Sequence, residues 1–246
     1  MHPSSRSPAP TTLVITTMIE TPQLTTLPLL RLLQLASPTL PVGAYAYSGG
    51  LESAIAAGWV SDASQARDWI DGVLEHNLCG LDIPVLQRMY RAWQQDDSEA
   101  VRVWSRFLAA SRESAELLAE DRQMGQALAR LLVSLDIESA SDWVSGRHSN
   151  WVAMFSLAAV RWGIAEREAQ LGYLWSWCEN QVAAAVKLVP LGQTAGQQIL
   201  AWCAERLPAR VNRCSGIQDE EIGQLAPALA IGSAQHEQQY SRLFRS

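Results

Sequence analysis

The chain has 246 residues, a formal net charge of −6, and nineteen basic side chains of which eighteen are arginine and one, Lys187, is lysine. A phosphate-cradling G-x-x-x-x-G-K-[ST] loop needs a lysine between glycine and Ser or Thr. Lys187 stands between Val186 and Leu188, so that class is excluded, and its neighbours match no Schiff-base or kinase-type lysine either. The acidic balance leaves no footprint for nucleic acid, and no run approaches the ~18 apolar residues of a membrane span.

Residues 1–26, rich in Ser, Thr and Pro, read as a disordered extension, with Met18 an alternative start. They lack the charged-then-apolar order of a leader, and the four cysteines form no C-x-x-C pair. A cytoplasmic protein with reduced thiols is expected. From residue 27 onward the pattern is helical. Leu27 to Ala36 is a short apolar helix stopped at Ser37-Pro38, and the Pro- and Gly-containing run to Gly50 is a loop. A brief helix spans Leu51 to Ala57 and ends at Gly58. Asp62 and Gln65 form a capping box ahead of Ala66, Trp69/Ile70, Val73/Leu74 and Leu78.

Further helices carry Leu86, Met89/Tyr90 and Trp93; then Leu117/Leu118, Met124, Leu128, Leu131/Leu132 and Leu135; then Trp151, Phe155, Ala158 and Trp162. Leu171, Leu174/Trp175, Cys178, Val182, Val186 and Val189 mark the next, ended by Pro190, and Ile199, Trp202 and Leu207 another. No stretch alternates with period two. The expectation is an all-α single-domain bundle of roughly eight to ten helices over residues 27–246, with a C-terminal tail that docks.

Catalytic patterns are weak. Ala46-Tyr47-Ser48-Gly49-Gly50 falls one residue short of a G-x-S-x-G elbow and follows a loop where that motif needs a strand, so Ser48 reads as a cap or turn residue. A serine hydrolase using Ser48 stands as an alternative. No two of His2, His76, His148 and His236 have metal-ligand spacing; a direct metallochaperone using His236 and the cysteines is a second alternative. Asp96-Asp97 and Glu220-Glu221 read as solvated or helix-starting residues. The ten tryptophans read as core, while Trp with Arg in a low-lysine chain also fits packed interfaces. No cofactor and no metal ligand set is expected.

Two features remain. Lys187 lies opposite the apolar stripe of its helix, on a face with Ser176, Asn180, Ala183 and Ala184. It is either a solvated lysine near the helix end or the edge of a flat face for another chain. In the tail, Tyr240, Leu243 and Phe244 fall at i, i+3 and i+4 with Arg242 and Arg245 beside them. That suggests docking onto the domain itself or into a partner groove.

The segment Gln34-Leu-Ala-Ser-Pro-Thr-Leu-Pro-Val-Gly-Ala-Tyr-Ala-Tyr-Ser-Gly-Gly-Leu-Glu52 resembles the signature of the urease accessory protein UreF family. Lys187-Leu-Val-Pro-Leu-Gly-Gln193 and the ending from His236 to Ser246 resemble its other recurring segments. The resemblance covers about residues 25 to 246. It implies an all-helical, non-enzymatic assembly factor that dimerises, binds the accessory protein UreD (also called UreH) and recruits the GTPase UreG. The complex then loads nickel into apo-urease with GTP hydrolysis. The resemblance also implies partner-contacting residues Pro41, Gly43, Tyr45, Tyr47, Ser48, Glu52, Lys187, Gln193, His236, Glu237, Tyr240, Arg242, Phe244 and Arg245. The tail is expected on the UreD/UreH side, and Lys187 and Glu52 on the side of UreG or urease.

Overall fold

Short polar side chains start the helices. The side chains of Asp62, Asp97, Ser114 and Asn150 each accept a hydrogen bond from the backbone N–H three residues on, at 2.8, 2.9, 3.1 and 2.8 Å, satisfying a donor that the first helical turn leaves unpaired. Gln65 accepts from the N–H of Ser61, one residue ahead of the cap, so the cap at Asp62 forms but the reciprocal half of the expected box is displaced by one residue. Asp97 thus opens a helix, Ser98–Ser111, that no apolar stripe announced.

The computed structural model describes residues 26–224 and 226–246, so the expected extension and the Met18 start lie outside the described residues. There are ten α-helices and no strand among them: α1 Thr26–Ala36, α2 Leu51–Ala56, α3 Ala63–Val73, α4 Ile83–Gln94, α5 Ser98–Ser111, α6 Ala115–Ser134, α7 Trp151–Arg161, α8 Glu166–Leu188, α9 Gln193–Cys214 and α10 Pro227–His236. The all-α expectation holds, and α5 and α10 are the two helices that apolar periodicity did not mark.

Helix α7 is the centre. Every residue from Trp151 to Ala159 is buried, as a helix apolar on all sides must be, and α4, α6, α8 and α1 surround it. Trp151, Phe155 and Tyr173 form a chain of edge-to-face rings with centroids 5.4 and 5.3 Å apart, and the indole of Trp93 donates to the carbonyl of Ala153 at 3.0 Å. Gly125 on α6 lets the backbone of Asn150 pass so close that a Cβ there would stand 2.4 Å from a backbone carbon.

Between α3 and α4 the chain does not break. Leu74–Asp82 is a nine-residue π-helix in which the N–H of Ile83 reaches back five residues to Leu78. This wider winding buries three polar or thiol-bearing side chains, Asn77, Cys79 and Asp82, in a segment expected to be ordinary α-helix. Cys79 pairs with Cys214 on α9, and Cys178 on α8 pairs with Cys203, also on α9. Hydrogen bonding to Cys214 and then burial push the Cys79 thiol up, and Cys203 does the same to Cys178. These cysteines are buried core residues.

Candidate functional site

The site begins with glycines. Gly49 and Gly50 both have positive φ, 56° and 76°, which places the loop's last turn in the left-handed region that only glycine enters cheaply. A Cβ on Gly50 would lie 3.2 Å from the backbone nitrogen of Ser233, and one on Gly232 would lie 3.1 Å from the Gly50 carbonyl oxygen. Helices α2 and α10 therefore meet backbone to backbone, and α10 gives no apolar stripe because small residues make its contact.

That contact brings the chain's last ten residues over the loop. Glu52, in the first turn of α2, is buried, and its carboxylate accepts the N–H groups of Leu243 and Phe244, each at 2.8 Å. It also lies 3.2 Å from Nε2 of fully buried His236, whose Nδ1 is 2.7 Å from Glu116. Each ring nitrogen of His236 thus faces a carboxylate oxygen. Glu116 also takes Arg242 at 2.6 Å, and Glu237 accepts the N–H of Ala115 at 3.0 Å, an anion at the N-terminus of α6. At the far end, the Ser246 carbonyl accepts the N–H of Ser48 at 2.9 Å and also its hydroxyl. The Arg245 N–H donates to the carbonyl of Ala46 at 2.8 Å. Asn180 and Gln181 of α8 hold the loop from below through the carbonyls of Tyr47 and Ser48, at 2.9 and 3.0 Å.

Under this clasp lies an ionic core. Arg112 forks onto both carboxylate oxygens of Asp82 at 3.0 and 2.8 Å and reaches Asp121 at 3.0 Å; Tyr173 also donates to Asp82 at 2.8 Å. Burial works against the Arg112 charge, but Asp121 and then Asp82 outweigh it and hold its pKa above the ordinary arginine value. A cavity of about 190 Å³ between α1, the loop, α6 and α8 touches Asp82, Arg112, Glu120 and Asn77.

Glu120 lines that cavity and accepts the Ser246 hydroxyl at 2.6 Å. Burial pushes its pKa up to about 7, with the Ser246 hydrogen bond opposing the shift. Because the folded chain binds this proton more tightly than the unfolded chain does, stability from Glu120 is present at acid pH and lost as pH rises through about 7. Glu120→Gln is therefore expected to raise the melting temperature at pH 8, with the gain shrinking as pH falls and vanishing only below the ordinary carboxyl value of 4.5. Equal shifts at the alkaline and acid ends of this range, read by scanning calorimetry, would refute the assignment.

The residues singled out in the sequence converge, but not all at the surface. Pro41 and Tyr45 are exposed, Gly43 sits at a φ of 79°, and Tyr47 is buried with its hydroxyl donating to Gln123 at 2.7 Å. Ser48 is completely buried and donates to the Ser246 carbonyl, an engagement that suits a structural hydroxyl and not a nucleophile. Glu52, expected to face a partner, is buried against the chain's own tail. Lys187 is exposed, with its ammonium 5.7 Å from the centre of the Phe244 ring, so the second and third segments touch. Asn180, on the small-residue face beside Lys187, is covered by the loop, and Ala184 is buried; Ala183 and Lys187 are exposed. Gln193 opens α9 as an exposed residue.

The tail's expected stripe is not one. Helix α10 ends at His236, so Tyr240, Leu243 and Phe244 share no helical face. Phe244 turns inward at 6% exposure while Leu243 keeps 68% and Tyr240 is wholly exposed. Glu116, Glu120 and Gln123 were missed, since polar residues at i, i+4 and i+7 on a long helix look like a solvated face.

The chain matches the UreF family model over residues 60–204. It is 52% identical to the urease accessory protein UreF of Alkalilimnicola ehrlichii over 216 residues, 88% of this chain and 95% of that protein. It is likewise 52% identical to the protein of the same name from Teredinibacter turnerae over 218 residues, covering 89% and 98%, and 48% identical to that of Methylobacillus flagellatus over 222 residues, covering 89% and 97%. The chain belongs to the UreF family. The clasp of loop, Lys187 and tail is thus a feature of a UreF-family chain, and its first and third components lie outside the stretch that the family model matches. No helix among the described residues is long and apolar enough to cross a membrane, and no cluster of three His, Cys, Asp or Glu side chains among them is arranged to hold a metal ion.

Proposed function

We propose that this chain is a non-enzymatic scaffold for urease maturation. It binds a UreD/UreH-type protein and a UreG-type GTPase, forms homodimers, and helps deliver nickel to apo-urease in the cytoplasm. GTP hydrolysis and metal chemistry belong to its partners. The observation that carries the reading is the clasp itself. Three separated segments are folded into one surface whose charged groups hold the chain together, while Tyr45, Tyr240 and Leu243 stand exposed around it at 69%, 106% and 68%. Helix α1 adds Leu27, Leu30 and Leu33 at 62%, 56% and 60%, and exposed apolar side chains grouped in this way mark contact surfaces.

The tail is assigned to UreD/UreH and Lys187 to the side of UreG or urease. Glu52, being buried, supports the tail from within. Size exclusion of the full chain co-expressed with UreD/UreH-type and UreG-type proteins tests this. Co-elution is expected, with loss of UreD/UreH when Tyr240 to Ser246 is removed and also in the fold-sparing variant Tyr240→Ala, Leu243→Asp. For Lys187→Ala we expect an intact fold and less nickel loaded per complex. Wild-type protein eluting alone would sink the scaffold reading.

A further inference from the structure

A groove of about 270 Å³ runs between the loop, α6 and the tail, lined by Pro41, Tyr45, Gln123, Gln126, Arg130 and Arg245 among others. Gln123, Gln126, Ala127 and Arg130 fall at i, i+3, i+4 and i+7, one face of α6. Arg245 arrives from the opposite side, placed by its N–H bond to Ala46, and its guanidinium meets the hydroxyl of Tyr47.

The charges here are unspent. Many of the other arginines pair with carboxylates, among them Arg91 with Glu166 at 3.0 Å, Arg213 with Glu75 at 2.8 Å and Arg242 with Glu116 at 2.6 Å. Among the described residues, Arg130 and Arg245 make no ion pair. Gln123 spends its oxygen on Tyr47, at 2.7 Å, and this leaves its amide N–H groups as donors beside them. Two exposed guanidiniums with an adjacent amide donor form a local positive site that attracts carboxylates at short range, against the chain's net charge of −6. The exposed ring of Tyr45 stands at the rim, and Tyr with Arg is the pairing that concentrates binding energy in protein interfaces.

We propose that this groove docks an acidic segment of a protein partner, with an Asp or Glu carboxylate seated between Arg130 and Arg245. The proposal rests on the scaffold reading only in making the occupant a protein. It adds a dependence that neither half shows alone: Arg245 reaches the groove only while the tail is clasped, so the site is complete only in the docked form. A partner that reads this groove also reads the state of the tail.

The groove can be tested without the partners. In the full chain, the side-chain Nε–H signals of Arg130 and Arg245 are followed by NMR as acetylated hexaglutamate is added, with inorganic phosphate and hexalysine as the other arms. Shifts with hexaglutamate alone are expected, weakened about tenfold or more in Arg130→Glu and in Arg245→Glu and screened by added salt. Arg130→Lys keeps the charge but loses the planar fork, and falls between. No shift, an undiminished shift in both charge-reversal variants, or equal binding of phosphate would overturn the proposal. Co-elution of the wild-type chain with its partners is scored separately. If that fails while hexaglutamate binds as expected, the scaffold reading falls and the groove stands. If the complex forms and Arg130→Glu leaves it intact, the groove falls and the scaffold stands.

Discussion

Arg112→Met is expected to lower the melting temperature by on the order of 10 °C. The substitution strands two carboxylates, Asp82 at 1% and Asp121 at 7% exposure, that share one guanidinium. Removing one partner of a buried ionic group costs about 3–5 kcal/mol, because the charge left behind stays in the interior without its counterion. In a chain of this size each kcal/mol moves the midpoint by roughly 2–4 °C. The triple variant Arg112→Met, Asp82→Asn, Asp121→Asn removes the stranded charges and is expected to recover much of the loss. Calorimetry decides: a single-variant drop under about 3 °C, or a triple variant no better than the single, would show that the network is not the anchor described.

Glu52→Ala is expected to free the tail with little damage to the rest of the bundle. One carboxylate accepts two backbone N–H groups and faces His236, and each of those donors left buried without an acceptor costs about 1–3 kcal/mol. The chain escapes most of that cost by releasing residues 237–246 into water. Hydrogen exchange of the Leu243 and Phe244 amides should rise by roughly a hundredfold or more, consistent with a loss of about 3 kcal/mol of local protection. The core amides of α7 should exchange as before. Glu52→Gln keeps one acceptor oxygen and is expected to lie between. Unchanged protection in Glu52→Ala would mean that the Ser48–Ser246 contacts hold the tail unaided.

The two variants separate two layers of the molecule. The Asp82–Arg112–Asp121 network joins the π-helix to α6 and belongs to the fold, whereas the Glu52 clasp joins two chain segments nearly two hundred residues apart and belongs to the surface. The arginine groove sits on the second layer. A stability measurement on Arg130→Glu should therefore be near neutral even if the hexaglutamate arm shows a full loss of binding.

Periodicity found the helices that bury an apolar stripe, α3, α4, α6, α7, α8 and α9, to within about five residues of their ends except for α9, which extends six and seven residues beyond the marked Ile199 and Leu207. Ser37-Pro38, Gly58 and Pro190 marked stops because each acts through local backbone sterics. Periodicity failed for α5, whose start is a single side-chain cap at Asp97, and for α10, whose packing is backbone against Gly50. The π-helix was invisible for another reason. A change from α to π winding alters which groups are buried without altering the order of apolar residues, so Asn77 and Asp82 looked like ordinary polar positions.

The candidate site divides in the same way. Its three segments could be picked out by resemblance, and the chemistry they lack could be read from residue types alone. One lysine in the wrong setting excludes a phosphate loop wherever the chain folds. Tertiary structure alone decided what each charge is for. Glu52 turned inward because two tail amides needed an acceptor, the scattered cysteines became two buried pairs across α9, and Lys187 came to rest near Phe244. The arginine excess first visible in the composition also split. Some of those guanidiniums are consumed by carboxylates that only the fold brings near, and two are left facing an open groove. Local sterics and periodicity act within a few residues and are written in the sequence. Pairing of charges and donors across a hundred residues is set only when helices close on one another.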